Sequence, residues 1–239
     1  MARALSAEDV EDFQDRLCDA AEQIFAEHGL EGITMRALAA EMGVSAMTPY
    51  RYFKDKDAII AAGRARAFNR HAEALETAYE TPGDWRERSA AVGEAYLRFA
   101  LENPEAYKLM FDIKQAGAFN YPELAAAGER SRRTMTQHLE AMIAAGELTG
   151  DPDLIGHMFW SALHGAVLLE LAGILAAPMD ARRISEEGKR EARYVASSGD
   201  AVASAVAAAQ PGDMILTLGA GSVSQLGPII LEKLQPQTT

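Results

Sequence analysis

The chain has 239 residues, 49% of them apolar, enough to bury a sizeable core in one large or two ordinary domains. Its formal net charge of −12 opposes nonspecific binding to polyanions, so any contact with nucleic acid must rest on a local basic patch. The lone cysteine, Cys18, excludes an internal disulfide and no Cys/His set stands at zinc-ligand spacing; with no charged leader, apolar stretch and cleavage site, the cytosol is the expected compartment.

In chain order, Phe13, Leu17, Ala20, Ala21, Ile24 and Phe25 mark one face of a first helix, and Gly29 predicts its end. Thr34 is the expected N-cap of a short second helix with the stripe Leu38, Ala39 and Met42 and a stop at Gly43. After a turn through Gly43 and Val44 comes VSAMTPYRYFKDK, residues 44–56, read as a third short helix with a proline inside it. Pro49 is tolerated near a helix N-terminus. Either Ser45 is the cap and one backbone bond is lost, or Thr48 is the cap and Pro49 takes the first helical position. Asp57 is the expected cap of the long helix that follows, containing Ile59, Ile60, Phe68 and Leu75.

Breaks carrying Gly or Pro at 81–84, 103–104, 117–122, 146–152 and 176–180 leave eight or nine helices by about residue 180 and no strand alternation. Residues 154–177, LIGHMFWSALHGAVLLELAGILAA, are long enough to span a bilayer. Glu170, two histidines, a serine and the lack of Lys/Arg anchors at the start favour instead a helix buried on most sides in a core or dimer interface, with no membrane partner. Beyond Ile184 the composition changes, and strand, helix, strand, glycine turn and helix are expected, a short βαβα appendage.

Two short helices joined by a glycine turn make a helix-turn-helix, whose second member enters the major groove. Arg36, Arg51, Lys54 and Lys56 outnumber Glu41 and Asp55 across it, while the acidic positions from Glu8 to Asp19 all lie on the first helix. The N-terminal end of the third helix offers free N–H groups to phosphate. Hydroxyls of Thr48, Tyr50 and Tyr52 and the charges of Lys54 and Lys56 add backbone contacts, and Ala46 and Met47 can touch a thymine methyl.

The span AEQIFAEHGLEGITMRALAAEMGVSAMTPYRYFKDKDAII resembles the DNA-binding domain of the TetR family of transcriptional regulators, over about residues 13–60. The helix end AxxIFAxHG, the T-x-R-x-[LI]-A-x-x-x-G-V-S helix and turn, and the TPYRYF segment with its Lys56 exit carry the likeness. It implies a mainly α fold: a three-helix DNA-binding domain over 1–56, a helical ligand-binding and dimerisation domain over 57–184, and a tail over 185–239. It also implies backbone contacts from Thr34 and Arg36, base-edge contacts from Ser45, Ala46, Met47, Thr48 and Arg51, and phosphate contacts from Tyr50, Tyr52 and Lys56. FWSALHGAVLLELAGIL, residues 159–175, resembles the ligand-domain helix of a TetR subgroup with Trp, His and Gly letters, here Trp160, His164 and Gly165. His157 and His164 read as packing positions rather than metal ligands, since no carboxylate or cysteine completes a set.

Phe99, Tyr107, Met110, Phe111, Met142, Trp160 and His164 are the expected walls of an effector pocket, being apolar with few polar groups. The resemblance implies a homodimer that represses from a palindromic double-stranded operator and is released by a small-molecule effector, with no catalytic residues, metal or cofactor. The tail, KREARYVASSGDAV and then QPGDMILTLGAGSVSQLGPIILEKL, resembles the extreme C-terminus of the Mur ligases, closest to the UDP-N-acetylmuramate:alanine branch, over about residues 185–235. It displaces the TetR family's usual final helix and is read as a fusion. GKR at 188–190 lacks the Ser/Thr and glycine spacing of a phosphate-cradling loop, and Gly219, Gly221 and Ser222 form a lone GxG. A nucleotide-binding or ligase-like protein built around this tail is the alternative function.

Overall fold

Capping chemistry sets the helix boundaries in the computed structural model, which describes residues 6–111, 121–188, 197–210 and 226–234. The chain divides into two compact units, Met1–Gly188 and Lys189–Thr239. In the first, α1 (Ala7–Gly32) starts at a capping box, in which Ser6 Oγ accepts from Asp9 N at 3.0 Å and the Asp9 carboxylate accepts from Ser6 N at 2.9 Å. Its helical path breaks at Gly29 (φ 66°, ψ −171°), the expected stop, and one further turn runs on to Gly32. Then come α2 (Met35–Glu41), a 3₁₀ turn (Pro49–Arg51), α3 (Lys56–Tyr79), α4 (Trp85–Glu102), α5 (Pro104–Phe111), α6 (Pro122–Ala144), α7 (Pro152–Leu171) and α8 (Ala181–Gly188). Proline opens three of these helices, where its missing N–H costs nothing.

Asp55, not Asp57, caps α3. Its backbone is extended (φ −159°, ψ 176°) and Oδ1 accepts from Ala58 N at 2.8 Å, whereas Asp57 lies in the first helical turn. A carboxylate there favours the helix dipole without capping it.

A small apolar cluster joins Ala61 and Ala65 of α3 to Leu124 and Ala127 of α6, and two larger ones divide the rest of the helix. Its first turns place Ile59 and Ile60 against Leu17, Ile24, Ile33 and Leu38 of the N-terminal helices. Further along, Ala67 and Leu75 join Tyr96, Phe99, Tyr107, Met110, Val167 and Ala181. α5 is shared in the same way, with Leu109 in the former of these two and its neighbours Tyr107 and Met110 in the latter. Arg66 fastens α3 to α1 by an ion pair with the Asp19 carboxylate at 2.9 Å and a hydrogen bond to the Asp15 backbone carbonyl at 2.7 Å.

α7 departs from expectation. Only 17% of its most apolar window is buried, and Leu154, Met158, Phe159, Leu168 and Leu169 are exposed, so within one chain it is not a helix covered on most sides. In the second unit, α9 (Ser198–Ala208) and α10 (Leu226–Leu234) pack on one another. The strands expected on either side of α9 fall outside the described residues. Among the described residues the tail contains two helices and no strand, and the βαβα reading goes unsupported.

Candidate nucleic-acid interface and the aromatic cluster behind it

The turn between α2 and the Pro49 segment is built on one glycine. Thr34 starts α2 with an extended backbone and a side chain that accepts from Ala37 N at 3.0 Å. At the other end Gly43 N donates to Ala40 O at 3.0 Å and Val44 N to Ala39 O at 2.9 Å, the paired bonds of a Schellman motif, with Gly43 at φ 66°. A side chain at Gly43 meets no neighbour within 4 Å, so it is the left-handed backbone, not space, that calls for glycine.

Thr48 stands in the cap position with Pro49 first in the helical turn that follows, and a turn closed on the Ser45 carbonyl comes just before it. Thr48 already has helical angles (φ −64°, ψ −45°) and makes no side-chain cap bond. The Ser45 carbonyl accepts from Thr48 N at 2.8 Å, and its hydroxyl lies 3.4 Å from Met47 N. Pro49 lacks the N–H that would bond back to Ser45, so the segment tightens into i→i+3 bonds, Arg51 N to Thr48 O and Tyr52 N to Pro49 O, each 3.0 Å. A 3₁₀ turn replaces the expected regular third helix.

Pro49 itself is buried, and this orients its neighbours. Ser45, Ala46, Met47, Tyr50, Arg51 and Lys54 are exposed, as are Thr34 and Arg36 on α2, while Thr48, Tyr52 and Lys56 are half-buried. Met47 is 68% and Tyr50 50% exposed, an unusual price for large apolar groups unless something covers them. Tyr52 faces inward: its ring stacks on Phe13 at 4.2 Å and 22°, and its carbonyl accepts from Gln14 Nε2 at 3.3 Å. Phe13 and Gln14 therefore tie the recognition turn to α1. Phe13 had been legible only as a member of an apolar stripe, and nothing in the sequence marked Gln14. The Lys54 ammonium lies 5.5 Å from the Tyr121 ring centroid.

Behind this head, six of the seven expected pocket residues come together: Phe99, Tyr107, Met110, Phe111, Trp160 and His164 belong to one cluster, and Met142, half-buried near the end of α6, stands outside it. Two residues that motif reading missed sit at its centre. Tyr96 Oη receives the Trp160 indole N–H at 3.1 Å and lies 2.5 Å from Tyr107 Oη, which is 2.6 Å from His164 Nδ1. His71, 1% exposed, meets Tyr96 and Phe99 edge-on at 5.1 Å each and pairs its Nδ1 with Ser131 Oγ at 2.9 Å. Burial pushes the Tyr96 phenol up to about 12 and holds the His71 imidazole down near 4. It also depresses His164 and raises Tyr107, so the network is neutral near pH 7.

Comparison with known proteins agrees with this architecture. Residues 17–62 match the model described as "Bacterial regulatory proteins, tetR family", and residues 89–192 match "Tetracyclin repressor-like, C-terminal domain". The chain belongs to the TetR family. This TetR-family regulator is 26% identical over 143 residues to the HTH-type transcriptional regulator Mb1846 of Mycobacterium bovis, a match covering 59% of this chain and 60% of that one. A solved structure of a protein with unknown function from Rhodococcus sp. RHA1 has a TM-score of 0.65 and 29% identity, covering 73% of this chain and 90% of that chain. A further 54-residue match, 61% identical, is to the UDP-N-acetylmuramate–L-alanine ligase of Koribacter versatilis; it covers 23% of this chain but 12% of that enzyme. The chain thus spans less than two thirds of both curated relatives.

Proposed function

We propose that this DNA-binding regulator is a repressor that reads a palindromic operator as a homodimer and is released by a small molecule. The observation that carries the DNA-contact assignment is the exposed set Thr34, Arg36, Ser45, Ala46, Met47, Tyr50, Arg51 and Lys54 around a buried Pro49, flanked by Thr48, Tyr52 and Lys56. Arg and Lys supply phosphate charge, and Met47, Ala46 and the Ser45 hydroxyl are the groups suited to base edges. The acidic α1 supports the reading, since Asp15 and Asp19 are tied to Arg66 on α3 and Glu22 lies 3.8 Å from Arg70.

The exposed face of α7 supports the dimer. Leu154, Met158 and Leu169 recur on one exposed face with Ser161, Ala162 and Gly165 between them, so a second helix can approach closely at the centre and bury apolar side chains at both ends. A two-fold pair places two recognition turns about one turn of B-DNA apart, roughly 34 Å. An effector acts by binding a conformer with a different spacing more tightly. As a cytoplasmic regulator it needs no catalytic group from the ligase-like tail.

A gel shift against the DNA upstream of its own gene tests the assignment. Changing Tyr50 and Lys56 together to Ala should abolish salt-sensitive binding while the melting temperature stays within a few degrees. Unchanged binding in that double variant refutes the interface.

A further inference from the structure

His71 Nε2 is buried in the aromatic cluster without a hydrogen-bond partner. The ring's protons can be placed by counting donors and acceptors. Ser131 Oγ faces His71 Nδ1 at 2.9 Å. If the hydroxyl donates to Nδ1, one group is left over, the Nε2–H; if Nδ1 donates to the hydroxyl, the serine hydrogen and the Nε2 lone pair are both left over. The first arrangement leaves fewer buried groups unpaired and is favoured. The same count on the opposite side runs from the Trp160 N–H to Tyr96 Oη, from the Tyr96 O–H to Tyr107 Oη, and from the Tyr107 O–H to His164 Nδ1, which puts the His164 proton on its Nε2 as well. Two imidazole N–H donors therefore flank the Tyr96 and Tyr107 pair, the His71 one wholly unused.

We propose that the effector of this regulator is an uncharged, mainly apolar molecule with one carbonyl-type acceptor, and that His71 Nε2–H receives that acceptor. The proposal rests on the effector-released repressor reading above. Ring faces of Phe99, Tyr96 and Tyr107 offer the apolar contacts. Among the described residues, the two arginines beside these rings are already committed and would serve a carboxylate poorly: Arg64 donates to the Met110 carbonyl at 2.8 Å, and Arg70, over the Phe99 ring, is held by Asn103 at 2.8 Å and lies 3.8 Å from Glu22. A neutral imidazole in a dry site hydrogen-bonds a carbonyl without moving a charge, and a ligand lacking the acceptor leaves the donor unpaired. The position also gives the ligand leverage. His71 is on α3, the helix that carries the recognition turn at its N-terminus, and its Ser131 partner is on α6.

Three probes of similar size separate the chemistries: acetophenone with the acceptor, isopropylbenzene with the same outline and none, and benzoate with a charge. Trp85→Phe leaves Trp160 as the single tryptophan, excited selectively at wavelengths beyond tyrosine absorption. In that background acetophenone should give a saturable change in Trp160 emission, with isopropylbenzene and benzoate each at least tenfold weaker. His71→Phe should remove the preference for acetophenone, and because it exchanges one unpaired buried donor, the Nε2–H, for another, the Ser131 hydroxyl, its melting temperature at pH 7 should stay within a few degrees of the parent's. Equal affinity for all three probes, no response to acetophenone up to its solubility limit, or an intact preference in the His71→Phe variant overturns the proposal. DNA binding measured without any probe reports separately on the repressor reading, which stands or falls by that result.

Discussion

Tyr52 was expected to bind phosphate through its hydroxyl, and its ring turns out to be stacked on Phe13, so two substitutions separate the two roles. Tyr52→Phe keeps the ring at 4.2 Å from Phe13 and keeps the Gln14 bond, which goes to the backbone carbonyl; only the hydroxyl goes. The folded protein should lose less than about 0.5 kcal/mol, the usual range for a change that leaves packing intact. If the hydroxyl meets a phosphate, operator affinity should fall by about 1 kcal/mol, roughly fivefold. Tyr52→Leu removes the stack as well, which adds about 1 kcal/mol of destabilisation beyond the lost area. Urea unfolding measures the first quantity and fluorescence anisotropy with labelled operator at fixed salt the second. A double-mutant cycle with Phe13→Leu should return a coupling of about 1 kcal/mol between the rings. A Tyr52→Phe protein as unstable as Tyr52→Leu, with unaltered DNA affinity, refutes the phosphate role. A vanishing coupling refutes the anchoring of the turn by α1.

Removing the exposed Lys54 charge with Lys54→Gln should lower the slope of log affinity against log salt by about 0.9, with little effect on sequence preference, as measured by titration at several salt concentrations. Met158→Glu with Leu169→Glu places charge on the exposed α7 face and should turn a dimer into a monomer in sedimentation velocity, abolishing operator binding at the same protein concentration. Burial holds the folded-state His71 near 4 against 6.5 for the free group, so the unfolded chain takes up a proton that the folded one refuses. That contribution costs nothing above about pH 7 and grows as pH falls from 6.5 towards 4, reaching on the order of 2 to 3 kcal/mol by pH 4.5. Urea melts at pH 7 and pH 4.5 should show this loss in the parent and its disappearance in His71→Phe. A chain ending at Gly188 keeps Ala181, which is fully buried and whose N–H donates to Glu170 Oε2 at 2.6 Å, and should bind operator as the full chain does.

Local chemistry made much of this fold readable, because caps and stops act within four residues of where they are written. Thr34, Gly29, Gly43 and the helix-opening prolines at 104, 122 and 152 are such signals. Asp55 and Asp57 both suit an N-cap, and only the extended backbone at Asp55 decides between them. The choice between Ser45 and Thr48 is likewise open in the sequence, since each places Pro49 acceptably; in the structure the helical turn starts at Pro49, directly after Thr48. Tyr96 and His71 escaped notice for a different reason. Their partners are distant in the chain, Trp160 for one and Ser131 for the other, and helical periodicity says which face is apolar without saying which rings will meet there. Met142 shows the converse, an apolar residue in a plausible place that stands outside the cluster.

If the effector is held at the aromatic cluster, as proposed, the packing offers routes by which it would be felt at the DNA. Tyr107 is hydrogen-bonded to Tyr96 and His164, and two residues further along the same α5 Leu109 is inserted between α1 and α3 in the core of the DNA-binding head. Both side chains are essentially inaccessible to solvent, so neither has free volume in which to absorb a displacement of the helix. A ligand that spreads the Tyr96 and Tyr107 pair must move α5, and with it Leu109, or break the hydrogen bonds that join the rings. Close-packed interfaces respond to such demands by shifting between discrete arrangements rather than by stretching. α3 offers a second route, since Leu75 lies in the aromatic core and Ile59 and Ile60 lie in the head, directly after the recognition turn. In the proposed two-fold dimer either route would change the distance between the two recognition turns, the quantity to which a palindromic site is sensitive.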